Sequence, residues 1–511
     1  MIIGGSIINI ITESLYDRPI VVFREYVQNS IDAFAKMPQY EKEYLVDINV
    51  LDSEQPVVGL DGNVPNLKRN VFFLDNGCGI PKDDFINRMK DIGKTEKSKV
   101  VNLGYKGIGR LSGISYCARL TFVNILDYEK KEYQVYSIDC EKFRTFKNRE
   151  GTIKEDVFSV MDEIGKEHIA ETFAAELGGQ YIFDFIQDKR EILRKTNTGF
   201  LVVMEDVTPV LIQTMDNEHF NEEMSWLLPV KFDNELYSDT KYGTLFTGLG
   251  EEVITSSIPA KGYPIVFHRE DGELSLKRPI SKKSLRKYVC KREFKDLQGN
   301  IYAVAVISFS NDKFVIDRTN VFNGIKIYID NMLLCDENEL LSVLKNLNLT
   351  LNTQNELLQA VQTIGAMIYI VDKVNLAANA RRTFIDITDK EGLDFLQLIR
   401  NFITEIYEAR YTLSRYRRGV EQYKDNQDKV EMLKEKAISA LQELAKSEVA
   451  LTEEEQEGPV PFELMETSEQ KKIVKRLIQN GINGEIKKYL AEATVFEKET
   501  AYQDFKTWLT K

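Results

Sequence analysis

The chain has little of what marks secretion, structural zinc or membrane insertion. Its five cysteines are odd in number and scattered, with no C-x-x-C, which argues against a disulfide framework or a thiolate zinc site. No apolar run approaches the roughly 20 residues needed to span a bilayer. The start, Met1-Ile2-Ile3-Gly4-Gly5, lacks the basic and apolar regions of a signal peptide. The expected location is cytoplasmic, with no membrane partner. Positive charge is in deficit, 67 Lys and Arg against 80 Asp and Glu, for a formal net charge of −13. That argues against a generally basic nucleic-acid binder, though local basic patches remain compatible with it. Proline is missing between Pro279 and Pro459, and Gly419 is the only glycine from Leu393 to Glu457. What is present is ordinary for a soluble globular protein, 43% hydrophobic and 29% charged residues. At 511 residues the chain is too long for one compact domain.

Three stretches carry chemistry. The first is Arg24-Glu25-Tyr26-Val27-Gln28-Asn29-Ser30-Ile31-Asp32-Ala33-Phe34, led in by Ile20, Val21, Val22 and Phe23 and unbroken by Gly or Pro. It reads as one amphipathic helix. At 3.6 residues per turn Glu25, Asn29 and Asp32 share a face, so a general base can stand beside a metal ligand. A surface helix with three solvated polar residues would show the same spacing. The second stretch, Val71-Phe72-Phe73-Leu74-Asp75-Asn76-Gly77-Cys78-Gly79-Ile80, is a buried-type strand running into an acid and a turn with two glycines. Glycine lets backbone approach a flat ligand closely, and Asp75 can accept from an exocyclic amine. The third, Gly104-Tyr105-Lys106-Gly107-Ile108-Gly109-Arg110, is a glycine-rich turn expected to open a helix over Leu111 to Tyr116. Backbone N–H groups at such a turn suit phosphates.

In that order, the three resemble the N-box and the two glycine boxes of the GHKL ATPases: gyrase B subunits, ninety-kilodalton heat-shock chaperones, histidine kinases and MutL. The likeness is greatest to the chaperones and related bacterial ATP-binding proteins, since Glu13-Ser14-Leu15-Tyr16 precedes the helix in the chaperone manner. The resemblance is sharp over roughly residues 5–125. It implies a Bergerat-type α/β sandwich that binds ATP or ADP with Mg²⁺. Glu25 would activate water and Asn29 would complete the metal shell. Asp32, Ala33, Asp75, Gly77, Gly79 and Ile80 would line the nucleoside end. Gly104, Tyr105, Lys106, Gly107, Ile108 and Gly109 would hold phosphates. Lys94, in Ile92-Gly93-Lys94-Thr95, matches a phosphate-contacting lysine, on a segment that is a mobile lid in the family. In Asn197-Thr198-Gly199-Phe200 the family pattern departs, because Phe200 follows Gly199 where a threonine is usual; either Thr198 or a water fills that place. Asn379-Ala380-Arg381-Arg382 is similar to the chaperone middle-domain loop, with Arg382 the match for a γ-phosphate arginine and Arg381 the fallback.

The expected fold is α+β in four parts. Residues 1–210 form the GHKL domain, with strands at Tyr44–Leu51, Val71–Asp75, Leu120–Asn124, Glu132–Ile138 and Phe200–Met204. Residues 211–390 form a second, transducer-like α/β domain, in which Ile301–Phe309 and the alternating, half-exposed Gly324–Ile329 are strands. Residues 391–457 are a helical or coiled-coil arm, since apolar residues recur at 395, 398, 402, 406, 409, 413, 416, 420 and 423. One long arm and two antiparallel helices both fit this spacing. Residues 458–511 are a small helical tail. All three histidines follow the N-box, which excludes a histidine kinase, and no Asp-x-Asp exists for a type II topoisomerase.

The expected activity is that of an ATP-hydrolysing conformational switch, chaperone-like, acting on a protein client or operon partner and self-associating in an ATP-dependent way. One alternative is a DNA-associated MORC- or MutL-like clamp in genome maintenance or antiphage defence, towards which Arg410, Arg415, Arg417 and Arg418 point. Another is a nucleotide-gated scaffold with little turnover.

Overall fold

The structure, a computed structural model, describes residues 18–37, 44–52, 57–58, 65–66, 69–90, 109–145, 157–232, 262–270, 272–280, 284–286, 288–310, 320–329, 331–347, 353–376 and 385–445. The tail expected at 458–511 lies outside these residues, as do Lys94, Gly104 to Ile108, Arg381 and Arg382.

Chain order begins with α1 (Val21–Phe34), β1 (Val46–Asp52), the short pair β2 (Val57–Val58) and β3 (Pro65–Asn66), β4 (Arg69–Asp75) and α2 (Phe85–Lys90). There follow β5 (Cys117–Asp127), β6 (Glu132–Asp139), α3 (Cys140–Thr145), α4 (Val157–Ile164) and β7 (Gly165–His168). Next are α5 (Ala170–Glu176), α6 (Gln180–Asp188), α7 (Arg190–Leu193), β8 (Gly199–Val207), α8 (Pro209–Met215), α9 (Phe220–Leu227), β9 (Ile265–Arg269) and β10 (Gly272–Ser275). Eight of these strands make one sheet, in the order β10-β9-β1-β4-β8-β5-β6-β7. All its neighbours pair antiparallel except β1 with β9. Its edge at β9 and β10 draws on residues beyond 210.

Both faces of this sheet are covered, which explains why β4 reads as an unbroken apolar run. Val71 and Phe73 face the core beneath α1, whereas Phe72 and Leu74 face a second core built with Phe173, Ile182, Phe185 and Ile186 from α5 and α6. Polar clamps fix that back layer to the strands. Glu205 of β8 accepts from Arg119, from Thr121 Oγ1 at 2.9 Å and from the Tyr181 hydroxyl of α6. Asp47 of β1, fully buried, pairs with Lys189 Nζ at 2.6 Å and His268 Nε2 at 2.6 Å.

A second sheet, in the order β11-β12-β15-β13-β14, uses β11 (Tyr288–Lys295), β12 (Ile301–Phe309), β13 (Gly324–Ile329), β14 (Met332–Cys335) and β15 (Gly365–Ile370). Helices α10 (Glu337–Asn346) and α11 (Gln354–Val361) precede β15, each opened by a capping box, Asp336 with Glu339 and Thr353 with Glu356. The half-exposed strand expected at Gly324–Ile329 is instead buried along nearly its whole length. Its Lys326 lies beneath the surface with the ammonium 4.3 Å from the Trp226 ring centre, so a lysine that reads as solvated covers an indole. The helical region resolves into two antiparallel helices, α12 (Lys390–Gln422) and α13 (Gln427–Ala445), with Gly419 giving Leu433 room to pack. Phe395 and Phe402 of α12 meet Phe294 edge-on, and Arg292 forms an ion pair with Glu405. No helix among the described residues is long and apolar enough to cross a membrane.

Candidate active site

Helix α1 is buried on nearly every side, as its run of Val21, Val22, Phe23, Val27, Ile31 and Phe34 dictates. Phe23 and Tyr26 both meet Phe73 edge-on, at 5.3 and 5.0 Å between ring centres, and so hold the helix against β4. Within α1 only Asn29 and Ala33 are partly open. They stand four residues apart, on one face of the helix. Glu25 and Asp32, which share that face, are 3% and 1% exposed. A solvated polar stripe would leave all of them open, so the surface-helix reading of this segment fails.

At the end of β4, Asp75 is 4% exposed. Burial pushes its carboxyl up to about 6, a rise only partly offset by hydrogen bonds from the Ser30 side chain and from Gly77 N–H, the latter at 2.9 Å. The contrast with Asp47 is instructive. Asp47 sits between two basic side chains, whereas among the described residues no cation pairs with Asp75. Beyond the bonds from Ser30 and Gly77, its carboxylate keeps acceptor capacity for a further donor.

The turn beyond Asp75 is held close to α1. A Cβ added at Gly77 would stand 2.7 Å from both Ala33 Cβ and Asp75 Oδ1, so the small pair Ala33 and Gly77 lets the turn lie against the helix. Gly79 has φ +61°, and a Cβ there would stand 2.7 Å from Asn124 Oδ1. Thr198 Oγ1 donates to Gly77 O at 2.8 Å, so the threonine in front of Gly199 does reach this turn. Ile80 follows, with its main chain bonded to Asn124.

The third element differs from its sequence reading. Instead of a helix over Leu111 to Tyr116, a 3-10 turn at Gly109–Leu111 leads through further turns into β5. Tyr26 ties this segment to α1: its hydroxyl accepts from Gly113 N–H at 3.0 Å and donates to Arg110 O at 3.2 Å. Gly109 lies directly on the Glu25 carboxylate, where any side chain would collide with Oε2. Arg24 Nε lies 3.6 Å from Glu25 Oε1.

The described residues thus place Glu25, Asn29, Asp32, Ala33, Asp75, Gly77, Gly79, Ile80, Gly109 and Thr198 along α1, with Gly109 at Glu25 and the Gly77 turn at Ala33. The other expected phosphate contacts, Lys94 and Gly104 to Ile108, and the expected Arg382 fall outside the described residues. Tyr26 and Asn124 were missed in the sequence. Tyr26 reads as apolar surface, but Asn124 carried a signal, being an amide inside the apolar strand Leu120-Thr121-Phe122-Val123-Asn124-Ile125. Among the described residues no three or more His, Cys, Asp or Glu side chains gather as a metal site.

The donor set fits Mg-nucleotide. A buried carboxylate with no cation beside it among the described residues, next to a glycine turn, suits a nucleobase, and the Asn29 amide suits a hard cation whose remaining ligands would be phosphate oxygens and water. No curated protein matches the chain. Residues 18–170 match the family described as Histidine kinase-, DNA gyrase B-, and HSP90-like ATPase. The N-terminal part of this chain is therefore a domain of the GHKL ATPase superfamily.

Proposed function

We propose that the chain is a Mg²⁺-dependent, ATP-hydrolysing conformational switch of the chaperone-like kind, acting on a protein client or a partner complex. The observation that carries this reading is the opening of an otherwise buried helix at Asn29 and Ala33, beside a turn that begins at the buried Asp75. Asp75 accepts from the adenine amine, and Gly77 and Gly79 keep side chains out of the base plane. Thr198 holds the Gly77 carbonyl, and Ala33 and Ile80 flank the nucleoside. Asn29 completes the magnesium shell and Asp32 supports the same end of α1. Glu25 orients the attacking water and takes its proton. When bound, the metal ion neutralises phosphate charge, so positioning is most of what remains for the protein. Lys94 and the segment Gly104, Tyr105, Lys106, Gly107, Ile108 and Gly109 hold phosphates, and Arg382 arrives from the second domain.

The test is Glu25→Ala. Nucleotide affinity should stay within severalfold of the parent while turnover falls by about 10²–10⁴. Undiminished hydrolysis would place the base elsewhere. The same variant, holding ATP, should retain the client or operon partner during purification. Self-association should tighten with a non-hydrolysable analogue, and an unchanged mass by light scattering would count against it.

One feature favours a second reading, a nucleic-acid-associated clamp. Tyr411 of α12 is 48% exposed with Arg415 stacked on it at 5.7 Å, and Arg418 is exposed one turn further on. Binding of a DNA duplex that weakens steeply with salt would favour this reading over the first.

A further inference from the structure

Asn124 is wholly buried at the middle of β5, in a stretch of strand that is otherwise mostly apolar. Its Oδ1 accepts from Ile80 N–H at 2.8 Å. Its Nδ2 donates to Ile80 O at 2.7 Å and to Gln134 Oε1 at 2.9 Å. The amide orientation is dictated by chemistry, because Ile80 N–H can only donate and Ile80 O can only accept. Both amide hydrogens and one lone pair of Oδ1 are therefore engaged. Gln134 is the direct cross-strand neighbour of Asn124 on β6, and its Nε2 donates to Lys82 O at 2.9 Å.

The pair thus grips the chain at Ile80 and again at Lys82, imitating on one side of the segment the ladder of a missing strand. The gripped residues begin immediately after Gly79, whose φ of +61° and close approach to Asn124 Oδ1 make it part of the same contact. Three side chains therefore fix the turn from different directions. Asp75 holds Gly77 N–H, Thr198 holds Gly77 O, and Asn124 holds both main-chain groups of Ile80. None of these bonds reaches the Glu25 end of the site.

We propose that Asn124, with Gln134 as its outer support, is a positioning residue for nucleotide recognition, setting the Gly77–Ile80 turn at the distance from α1 that the base requires. The proposal rests on the ATP-binding reading above and adds to it a residue that need not touch the ligand. Because the grip acts on the base end alone, its loss should appear in affinity and not in the chemical step.

The experiment compares the full chain with Asn124→Ala, Gln134→Ala and the double variant, each checked for folding by circular dichroism and thermal melting. ATP and ADP dissociation constants come from calorimetry, and KM and kcat from steady-state turnover. Asn124→Ala should raise both dissociation constants and KM about tenfold or more, with kcat at saturation within threefold of the parent. Gln134→Ala should raise them about threefold. The double variant should be little worse than Asn124→Ala, because both side chains hold one segment. A folded Asn124→Ala protein with a lowered melting temperature but parental affinity would overturn the proposal, as would a loss confined to kcat. If Asn124→Ala does not fold, Gln134→Ala decides alone, and unchanged affinity there overturns it. A parent chain that binds neither nucleotide would defeat the ATP reading itself, whereas a binding parent with unaffected variants defeats only this inference.

Discussion

Replacing Asp75 by Asn should stabilise the free protein and abolish its nucleotide binding. The carboxyl is almost fully buried, and burial, against bonds from Ser30 and Gly77, raises it from 3.8 to about 6. At 1.36 kcal/mol for each pH unit, the ionised form is disfavoured in the folded state by about 3 kcal/mol. Because the folded value is the higher one, the stabilising contribution of this group is complete below about pH 4. It is lost as the pH rises through 6. The amide titrates nowhere in that range and can keep its oxygen on Gly77 N–H. Denaturant melts at pH 7.5 should therefore show Asp75→Asn more stable than the parent by about 1–3 kcal/mol, the range allowing for the cost of burying an amide. The gap should close towards pH 4.5.

Binding should move the other way. The amide can present a donor to the adenine amine, and an unpaired buried polar group costs about 1–3 kcal/mol before repulsion is added. Calorimetry should find no measurable ATP affinity in the variant. In the parent, affinity should fall by up to about tenfold for each pH unit below 6, as the carboxyl takes up its proton. Asp75 is not the base contact if the variant binds ATP like the parent. A variant less stable than the parent by more than about 1 kcal/mol at pH 7.5 would refute the argument from burial.

The close approach of Gly109 to the Glu25 carboxylate predicts that Gly109→Ala displaces the base, lowering kcat at least tenfold while the protein stays folded; unchanged turnover would mean that the contact is slack. Arg382→Ala should leave ATP affinity nearly intact and reduce kcat strongly, since arginines that meet the γ-phosphate are worth about 10³–10⁵ in rate. Arg382→Lys should recover little and Arg381→Ala should be milder, whereas equal effects at 381 and 382 would remove the assignment. At the junction of the two sheets, Arg278→Ala should cost at least about 1–3 kcal/mol in denaturant melts, because it leaves the buried oxygens that its Nη1 and Nη2 serve without their donor. Arg18→Ala should cost about 0–1 kcal/mol, and a reversed order would mean that the junction is held from its rim.

The grouping of Glu25, Asp32 and Asp75 was legible in the sequence because its parts are local. The spacing from Glu25 to Asp32 is a property of one helix, and Asp75-x-Gly-x-Gly sits where one strand ends. What escaped depended on partners distant in the chain. Leu111 to Tyr116 resembles a helix start, yet Tyr26, far upstream, takes the Arg110 O that the first turn of a helix would have used, and binds the Gly113 N–H as well. Gly324–Ile329 has the alternation of a half-exposed strand, but Trp226 of α9 closes over Lys326 and buries the outward face. The back layer of α5 and α6 is announced by no motif. Its evidence in the sequence is β4 itself, whose Phe72 and Leu74 have no need to be apolar unless something covers them. Asn124 stood in plain view as a polar residue in an apolar strand, but its role depends on meeting Ile80.

The contacts at the junction of the two sheets differ in how easily they break. Arg278, 1% exposed, donates to the main-chain oxygens of Ser225 and Trp226 on α9 and to both oxygens of Asn331 in the β13–β14 turn, while its guanidinium lies 4.8 Å from the Tyr328 ring centre. Asn331 in turn donates to Val230 O at 3.2 Å. Removing any of these leaves buried polar groups unpaired, so α9 and the β13–β14 hairpin behave as one block. Arg18, just before α1, is half exposed and forms ion pairs with Glu223 of α9 at 2.5 Å and Glu339 of α10 at 3.3 Å. Such pairs are worth little and rearrange at small cost. Between α1 and the block lies a cavity of about 450 Å³, with Arg24, the neighbour of Glu25, in its wall. The ion pairs across this cavity are weak, while beside it Phe23 of α1 meets Phe220 of α9 edge-on, with 5.2 Å between ring centres. A shift of α1 on nucleotide binding would reach α9 through this aromatic contact, and the second sheet through the block that α9 shares with the β13–β14 hairpin.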